Sequence, residues 1–365
     1  MRKELSIYVH IPFCERKCNY CAFVSYCVGE KEKDEYIDDL CKEIAKRKCD
    51  GVVKTIYIGG GTPSILTSKQ IEKVVGAIYD TFDVYDNAEF TIEANPNSIT
   101  EELLATWKKL RVNRLSIGVQ SLKDKSLQKI GRIHTKVEAL EKIKMARKCF
   151  DNVSADLIVG LENEDGKDLC RYAGQLLDLG VKHISCYLLE VYENTKLFKD
   201  VEEKKYKLPN DEQTISAFNK LANYLQDKGM ERYEISNFAY PSYESKHNLN
   251  YWARGEYLGF GVSAHSFDGK GRTANADNFS DYKAGKTFKE EITPKEEIEE
   301  IIMLGFRCKL GVDKKKLQTL GYDITENAYY SDYLKQGILT EKENKIFLNP
   351  VFYHISNGII ANLLP

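Results

Sequence analysis

Six short runs rich in branched and aromatic side chains recur along the first half of the chain, with longer amphipathic segments between them. Within the longer segments apolar residues recur at helical spacing, as at Tyr36, Leu40 and Ile44. Strands that alternate with helices favour a parallel sheet, because each crossover needs a covering helix. The sequence therefore predicts an α/β barrel of βα units, whose strands are residues 5–10, 55–58, 89–93, 114–118, 154–159 and 183–188.

The second half has a less regular pattern. Residues 211–228 look helical, 233–236 resemble a further strand, and the Gly-rich segment 255–271 is expected to fold across the barrel mouth. Helical spacing over 295–306 and a β-like run at 345–348 predict a small helical domain with a β-hairpin wing, similar to a winged helix.

A boundary is expected where Lys and Glu crowd around one Pro, at residues 286–294. We therefore predict a barrel over 1–230, a barrel-closing segment over 231–288 and a C-terminal domain over 289–365. The length of 365 residues and the 42% hydrophobic content suffice for this arrangement.

Charge and hydropathy argue against nucleic-acid binding and against a membrane-spanning segment. The net charge of -2 provides no basic field for nucleic acid, and no apolar stretch approaches the roughly twenty residues that span a bilayer. A cytoplasmic protein is expected. The cysteines outside one N-terminal loop lack the spacing of a disulfide framework and are expected to be reduced thiols: Cys27, Cys41, Cys49, Cys149, Cys170, Cys186 and Cys308.

The N-terminal loop carries Cys14, Cys18 and Cys21 in a C-x3-C-x2-C pattern directly after the first strand. A cubane cluster takes four cysteine ligands, so three thiolates would leave one iron open to another ligand. Zinc is the weaker alternative, since it prefers paired C-x2-C or Cys/His ligands, and His10 lies within a strand-like apolar run. The loop therefore predicts a [4Fe-4S] cluster.

Two further motifs follow the next two strands. The Gly59-Gly60-Gly61-Thr62-Pro63 turn permits close approach and exposes N–H groups that could bind a carboxylate. Glu93 ends the third strand, where a carboxylate can accept hydrogen bonds from a ribose diol. A helix N-cap at Asn95 or Asn97 is the structural alternative for this turn. In a βα barrel these loops share one face.

With Tyr20 before its last cysteine, the loop resembles the signature of the radical S-adenosylmethionine (SAM) superfamily. The resemblance implies a partial (βα)6 barrel in which SAM chelates the open iron and is cleaved to a 5′-deoxyadenosyl radical. Together with the later motifs, it extends to the coproporphyrinogen-oxidase-like branch and nearly the whole chain. It implies that SAM is bound by Tyr8, Tyr20, Gly60, Gly61, Thr62, Glu93, Gln120, Arg132 and Asp156.

Within that branch the chain is most similar to the HemW heme chaperones, through Tyr8-Val-His-Ile-Pro-Phe-Cys14 and the H-N-x-x-Y motif. The motif implies a heme site at His247, Asn248 and Tyr251, with His265 as a secondary candidate. A loop-capping role is the structural alternative for His247. Oxygen-independent coproporphyrinogen oxidase has an additional cysteine where this chain has Phe23, so decarboxylation is less expected.

Two departures from the branch are visible. After Asp156 the usual Gly-Leu-Pro-Gly-Gln-Thr is replaced by Gly160-Leu-Glu-Asn-Glu-Asp165, and Lys246 stands where Arg is common. A divergent member with altered cargo is therefore an open alternative.

The expected function is that of a heme chaperone that binds a [4Fe-4S] cluster, SAM and heme and passes heme to an acceptor protein. The alternatives are coproporphyrinogen III decarboxylation and a radical enzyme that modifies or degrades heme, so whether the chain is an enzyme is left open. Flavodoxin or ferredoxin is the expected electron donor, no nucleic-acid partner is expected, and a membrane-associated acceptor and a homodimer are left open.

Overall fold

The computed structural model describes residues 2–47 and 50–365, so Cys49 lies outside the described residues. Six parallel strands form the centre of one sheet, which confirms the predicted α/β architecture. The strands are β1 (Lys3–Ile11), β2 (Gly51–Gly60), β3 (Asp83–Ala94), β4 (Arg114–Gln120), β5 (Asn152–Val159) and β6 (His183–Leu188). The crossover helices are α1 (Glu30–Lys46), α2 (Ser68–Thr81), α3 (Glu101–Lys109), α4 (Asp124–Lys129), α5 (Lys136–Cys149) and α6 (Gly166–Asp178).

Helix α2 illustrates how the crossover helices form. Thr67 accepts a hydrogen bond from the Gln70 N–H, and the Gln70 side chain accepts one from the Thr67 N–H, so the first turn is capped in both directions. Its buried face is apolar, with Ile71, Val74 and Ile78 packed in the main hydrophobic core. Local capping and one apolar stripe therefore place the helix against the sheet.

The sheet extends beyond the six central strands at both edges. At one edge, β8 (Asn237–Ala239) pairs antiparallel with β6 and with β7 (Glu231–Arg232). At the other, β9 (Tyr257–Phe260) pairs parallel with β1, and β10 (His265–Phe267), β11 (Gly271–Asn275) and β12 (Thr287–Glu291) follow antiparallel. Because β7 and β12 end the strand order, the barrel is partial. Helices α7 (Lys196–Glu202), α8 (Asp211–Asp227), α9 (Lys246–Trp252) and α10 (Phe279–Lys283) connect these strands.

Two predictions for this region are wrong. Residues 233–236 form the turn between β7 and β8, closed by the Tyr233 N–H bond to the Asn237 carbonyl (3.2 Å). Residues 255–271 do not cross the mouth, because their backbone groups pair with β1 and with one another as β9 to β11. Pairing between distant segments, which local periodicity does not reveal, decided both outcomes.

The C-terminal part has its own hydrophobic core, which includes Ile302, Phe306, Ile346 and Ile360. Its elements are α11 (Pro294–Gly305), β13 (Val312–Asp313), α12 (Lys314–Thr319), α13 (Tyr330–Lys335), β14 (Leu339–Lys342), β15 (Lys345–Leu348) and α14 (Ser356–Leu363). The β14–β15 hairpin confirms the predicted β-hairpin wing, whereas the division at residues 230 and 288 stays a prediction. Among the described residues, no helix has the length and apolar character needed to cross a membrane.

Candidate cofactor-binding site

The motifs that follow the strands meet at one cavity of about 760 Å³. It lies at the carboxyl ends of the central strands and continues to the C-terminal domain, where it is lined by Tyr353 and His354. The residues predicted for the cluster and SAM that line it are Cys14, Cys18, Tyr20, Cys21, Gly60, Gly61, Thr62, Glu93, Gln120, Arg132 and Asp156. The fold thus brings together side chains that are up to 142 residues apart in the sequence, as Cys14 and Asp156 are.

The three cysteines are free thiols that are partly exposed at the cavity. The loop leaves β1 with the Cys14 N–H bonded to the Tyr26 carbonyl (3.0 Å). The Thr62 hydroxyl donates to the Cys14 sulfur (3.5 Å), and the Arg132 guanidinium donates to the Cys18 sulfur (3.6 Å). Burial raises the pKa of the Cys14 thiol. A hydroxyl on one sulfur and a guanidinium on another are contacts that would favour thiolate ligands, although the three thiols are not gathered into a metal-binding group within the described residues.

The cavity side of the glycine turn requires small residues. Gly60 has φ 115°, and a Cβ on Gly61 would lie 2.6 Å from the Phe13 carbonyl oxygen. The Gly61 N–H bonds to the Ile11 carbonyl (2.8 Å), which ties the turn to the start of the cysteine loop. The turn can therefore bring backbone groups close to a ligand at the strand ends.

Glu93 is the acidic group at the centre of this arrangement. One carboxylate oxygen accepts from the Tyr57 hydroxyl (2.7 Å) and the other from the Gly60 N–H (3.0 Å). Burial raises the pKa of Glu93 to about 7, although both hydrogen bonds favour the charged form. A carboxylate held this way can still accept hydrogen bonds from a diol in the cavity.

Arg132 joins three loops. One guanidinium nitrogen donates to the Asn95 amide oxygen (2.7 Å) and to the Gly118 carbonyl (2.5 Å), and Asn95 in turn donates to the Thr62 hydroxyl (2.9 Å). Sequence reasoning considered Asn95 as an N-cap, but its side chain makes no capping hydrogen bond. Its position directly after the third strand was the available signal for a site role.

The last two predicted SAM residues on this face belong to strands: Gln120 is the last residue of β4, and Asp156 lies within β5. Gln120 has φ 66°, a left-handed backbone that is uncommon outside glycine and is often found at functional sites. Asp156 accepts a hydrogen bond from Ser116 (3.2 Å), and burial raises the pKa of its carboxyl group. Ser116, which sequence reasoning missed, also lines the cavity.

The two predicted tyrosines differ in position. Tyr20 lines the cavity, and its hydroxyl pKa is raised by burial. Tyr8 does not line it; its hydroxyl bonds to His10 Nδ1 (2.9 Å) inside the barrel, and its ring lies 6.2 Å from that of Tyr57. Tyr8 therefore contacts Tyr57, the partner of Glu93, from inside the barrel and does not face the cavity itself.

The H-N-x-x-Y motif lies on α9, away from the cavity. His247 is 1% exposed, its Nδ1 bonds to the Thr55 hydroxyl (2.8 Å), and its Nε2 bonds to the Tyr251 hydroxyl (3.0 Å). Burial lowers the pKa of His247 to about 3, so the imidazole is neutral. Heme ligation here stays a prediction, but it would first require one of these two hydrogen bonds to break.

The rest of the motif is also engaged in holding the helix. The Glu89 carboxylate accepts the N–H groups of Lys246 (2.9 Å) and His247 (3.0 Å), and the Asn248 N–H bonds to the Ser245 hydroxyl (3.2 Å). A buried carboxylate and a serine thus cap the start of α9, which agrees with a structural role for this motif. His265 is exposed on β10 and does not line the cavity.

Comparison with known proteins places this geometry in a family. The Radical SAM superfamily matches residues 8–176, and the HemN C-terminal domain matches residues 292–350. The heme chaperone HemW of Bacillus subtilis is 36% identical over 98% of this chain and 99% of its own length. The heme chaperone HemW of Lactococcus lactis is 31% identical over 100% and 98%.

Among solved structures, coproporphyrinogen III oxidase (HemN) of Escherichia coli matches with a TM-score of 0.85 and 21% identity, covering 99% of this chain and 90% of that one. At this identity the similarity concerns the fold. The sequence similarity to the two HemW proteins extends over nearly the whole chain at more than 30% identity, so it identifies the family more specifically. The chain therefore belongs to the HemW family of radical SAM proteins.

Proposed function

We propose that this protein is a heme chaperone that binds a [4Fe-4S] cluster, SAM and heme and transfers heme to an acceptor protein. The observation that carries the proposal is a cavity that joins the three cysteines to the Glu93 side chain and continues to the C-terminal domain. Membership of the radical SAM superfamily implies the cluster and SAM. The names of the HemW relatives support heme and an acceptor.

Cys14, Cys18 and Cys21 would hold the cluster. When bound, such a cluster supplies an electron and one open iron position to a SAM ligand. The protein's own contribution is electrostatic, since Arg132 donates to the Cys18 sulfur and Thr62 to the Cys14 sulfur. Both contacts stabilise thiolate charge next to the cavity.

SAM would lie between the cysteine loop and the ends of β2 to β5. Glu93 is assigned to the ribose hydroxyls, and the Gly60–Gly61 turn to the amino group of the amino-carboxylate end, because the N–H groups of both glycines already bond to Glu93 and Ile11. Gln120 and Asp156 would contact the rest of the cofactor, with Arg132 and Asn95 holding the loops in register. Tyr20 closes the side next to the cluster loop.

The electron donor, the location and the domain boundaries belong to the same proposal. A flavodoxin or ferredoxin would supply electrons. This chain would act in the cytoplasm, and its barrel would occupy residues 1–230.

The alternative of porphyrinogen decarboxylation is less favoured. Phe23, 71% exposed at the cavity, takes the position of the additional cysteine of the oxygen-independent coproporphyrinogen oxidases.

The test is an anaerobic assay of reconstituted protein with reductant, SAM and hemin. A chaperone is expected to bind hemin in a saturable way, to return the tetrapyrrole intact, and to load a heme-free b-type cytochrome. Chromatography of the tetrapyrrole and of 5′-deoxyadenosine checks this. A linear or methylated tetrapyrrole, or a divinyl product formed from coproporphyrinogen, would contradict the proposal in favour of an enzyme.

A further inference from the structure

The cavity has a second part beyond the SAM residues, which we call the outer chamber. It lies between the end of β6 and the C-terminal domain and is lined by Tyr187, Leu188, Tyr192, Arg232, Arg307 and His354. None of the residues assigned to SAM or the cluster is in this group. A SAM-filled inner part would thus leave the outer chamber free for a further ligand.

The walls of the outer chamber expose apolar surface. Tyr187 is 45% exposed, Leu188 49% and Tyr192 47%, although large hydrophobic side chains are more often buried. Phe23, on the neighbouring cysteine loop, faces the same cavity. Concave apolar and aromatic surface is typical of ligand pockets, and it suits a broad flat molecule.

The chamber also holds two arginines without a carboxylate partner. Arg232 lies between the rings of Phe218 (4.6 Å) and Tyr353 (4.8 Å), and its two Nη atoms donate to the backbone carbonyls of Pro350 (3.4 Å) and Ile235. Its buried Nε makes no hydrogen bond in the described part of the chain. Arg307 donates to the Asn357 amide oxygen (2.8 Å). Neither arginine forms a salt bridge within residues 2–47 and 50–365, and the acidic Glu190 on this wall bonds with Tyr192. Guanidinium groups in this state can bind the carboxylates of a ligand.

The histidines separate clearly by accessibility. His354 and His265 are exposed, and of these two His354 lines the cavity. The other four are at most 6% exposed and each makes at least one ring-nitrogen hydrogen bond: His10, His134, His183 and His247. Histidine is a common axial ligand of heme iron, and His354 is the one placed to reach a ligand in the chamber.

We propose that the outer chamber is the heme site, with His354 as the iron ligand and with Arg232 and Arg307 as partners of the two propionates. The proposal rests on the proposed function and locates its cargo at the C-terminal domain instead of at α9. It accounts for exposed apolar surface, two arginines without a salt bridge and an accessible imidazole in one place.

The test titrates hemin and metal-free protoporphyrin IX into cluster-reconstituted full-length protein and follows their visible spectra. In His354→Ala the histidine-ligated hemin spectrum should be lost and hemin affinity should fall about tenfold, while protoporphyrin IX binds as before. In Arg307→Ala both ligands should bind about tenfold more weakly, because a charge-assisted hydrogen bond is lost. His265→Ala is the matched control and should bind both ligands like the original chain.

His354 is exposed, so its substitution should leave cluster absorbance and SAM affinity unchanged. An unchanged hemin spectrum and affinity in His354→Ala would overturn the assignment, as would transfer of the whole effect to His265→Ala or His247→Gln. In either case the original chain still binds hemin, and the proposed function stands. If the original chain itself takes up no hemin, the proposed function and this inference both fail.

Discussion

The two ends of the barrel contain similar polar side chains in opposite situations. At the cavity end, defined by Gly60, Glu93 and Asp156, carboxylates and backbone groups face an open space. At the closed end, defined by Thr55, Glu89 and α9, the Thr55 hydroxyl and the Glu89 carboxylate are both bonded to groups of α9. The barrel interior is therefore polar along its length but accessible to a ligand from the cavity end.

His183 and His247 show how the closed end tolerates burial. His183 bonds to Ser154 (2.7 Å) and to the Tyr233 hydroxyl (2.8 Å), so both ring nitrogens of each histidine have partners. Burying a polar group costs little folding free energy when the group is hydrogen-bonded and several kcal/mol when it is not. The two buried histidines are therefore tolerated because their ring nitrogens are paired. At the cavity end burial raises the pKa of Glu93 to about 7, a perturbation typical of functional sites.

The largest effect should come from the cavity end. In Cys18→Ala the cluster should be lost completely, because two remaining thiolates cannot hold it against solvent, while the melting temperature of the cluster-free protein changes little. Iron content and visible absorbance after anaerobic reconstitution measure this. Cys27→Ala, at a nearby exposed cysteine, is the control. Equal iron content in Cys18→Ala and the original chain would sink the cluster assignment.

The closed end should respond in stability instead of cofactor content. Glu89→Ala removes the acceptor of two N–H groups on α9 and should lower the free energy of unfolding by about 2–4 kcal/mol. Urea denaturation checks this. Glu72→Ala, which breaks an exposed contact with Lys109 (3.4 Å), should cost less than about 1 kcal/mol. Similar losses in the two variants would mean that α9 is not held by Glu89.

Glu93→Gln should weaken SAM binding about tenfold, roughly 1.4 kcal/mol, since an amide accepts from a diol at one atom only. The folded pKa of about 7 exceeds the ordinary carboxyl value of 4.5, so the protonated form stabilises the fold at low pH and this contribution is lost as pH rises through 7. The glutamine variant lacks that loss. Its melting temperature relative to the original chain should therefore rise between pH 5 and pH 8; a constant difference would contradict the raised pKa.

The smallest effect is expected from His247→Gln, about 1 kcal/mol at neutral pH from its two hydrogen bonds. The folded pKa of about 3 lies below the ordinary imidazole value of 6.5, so the neutral ring stabilises the fold above pH 6.5 and this contribution is lost as pH falls toward 3. The deficit of the variant should therefore shrink on acidification. Urea titrations at pH 7 and pH 5 measure it, and a deficit that grows would indicate that His247 is protonated in the fold.

The sequence predicted the six central strands because buried parallel strands are nearly continuous apolar runs. It missed the full lengths of β2 and β3. The first residues of β3 are mostly exposed and polar, whereas β2 begins with the buried pair Val52 and Val53. The edge strands β9 to β12 escaped prediction because each is at most five residues long and forms only by pairing with β1 or its neighbours. Asn95 could be located but not interpreted, since its partners Arg132 and Thr62 are distant in sequence.

What the amino-acid order determined by itself is the βα alternation, the cysteine spacing and the placement of each motif directly after a strand, because all three are local in the chain. What only the tertiary structure decided is which side chains reach the cavity. His247 and His354 both lie in the last third of the chain. The ring of His247 is bonded to Thr55 and Tyr251, whereas His354 lines the cavity. Accessibility depends on segments far apart in sequence, and periodicity carries no information about them.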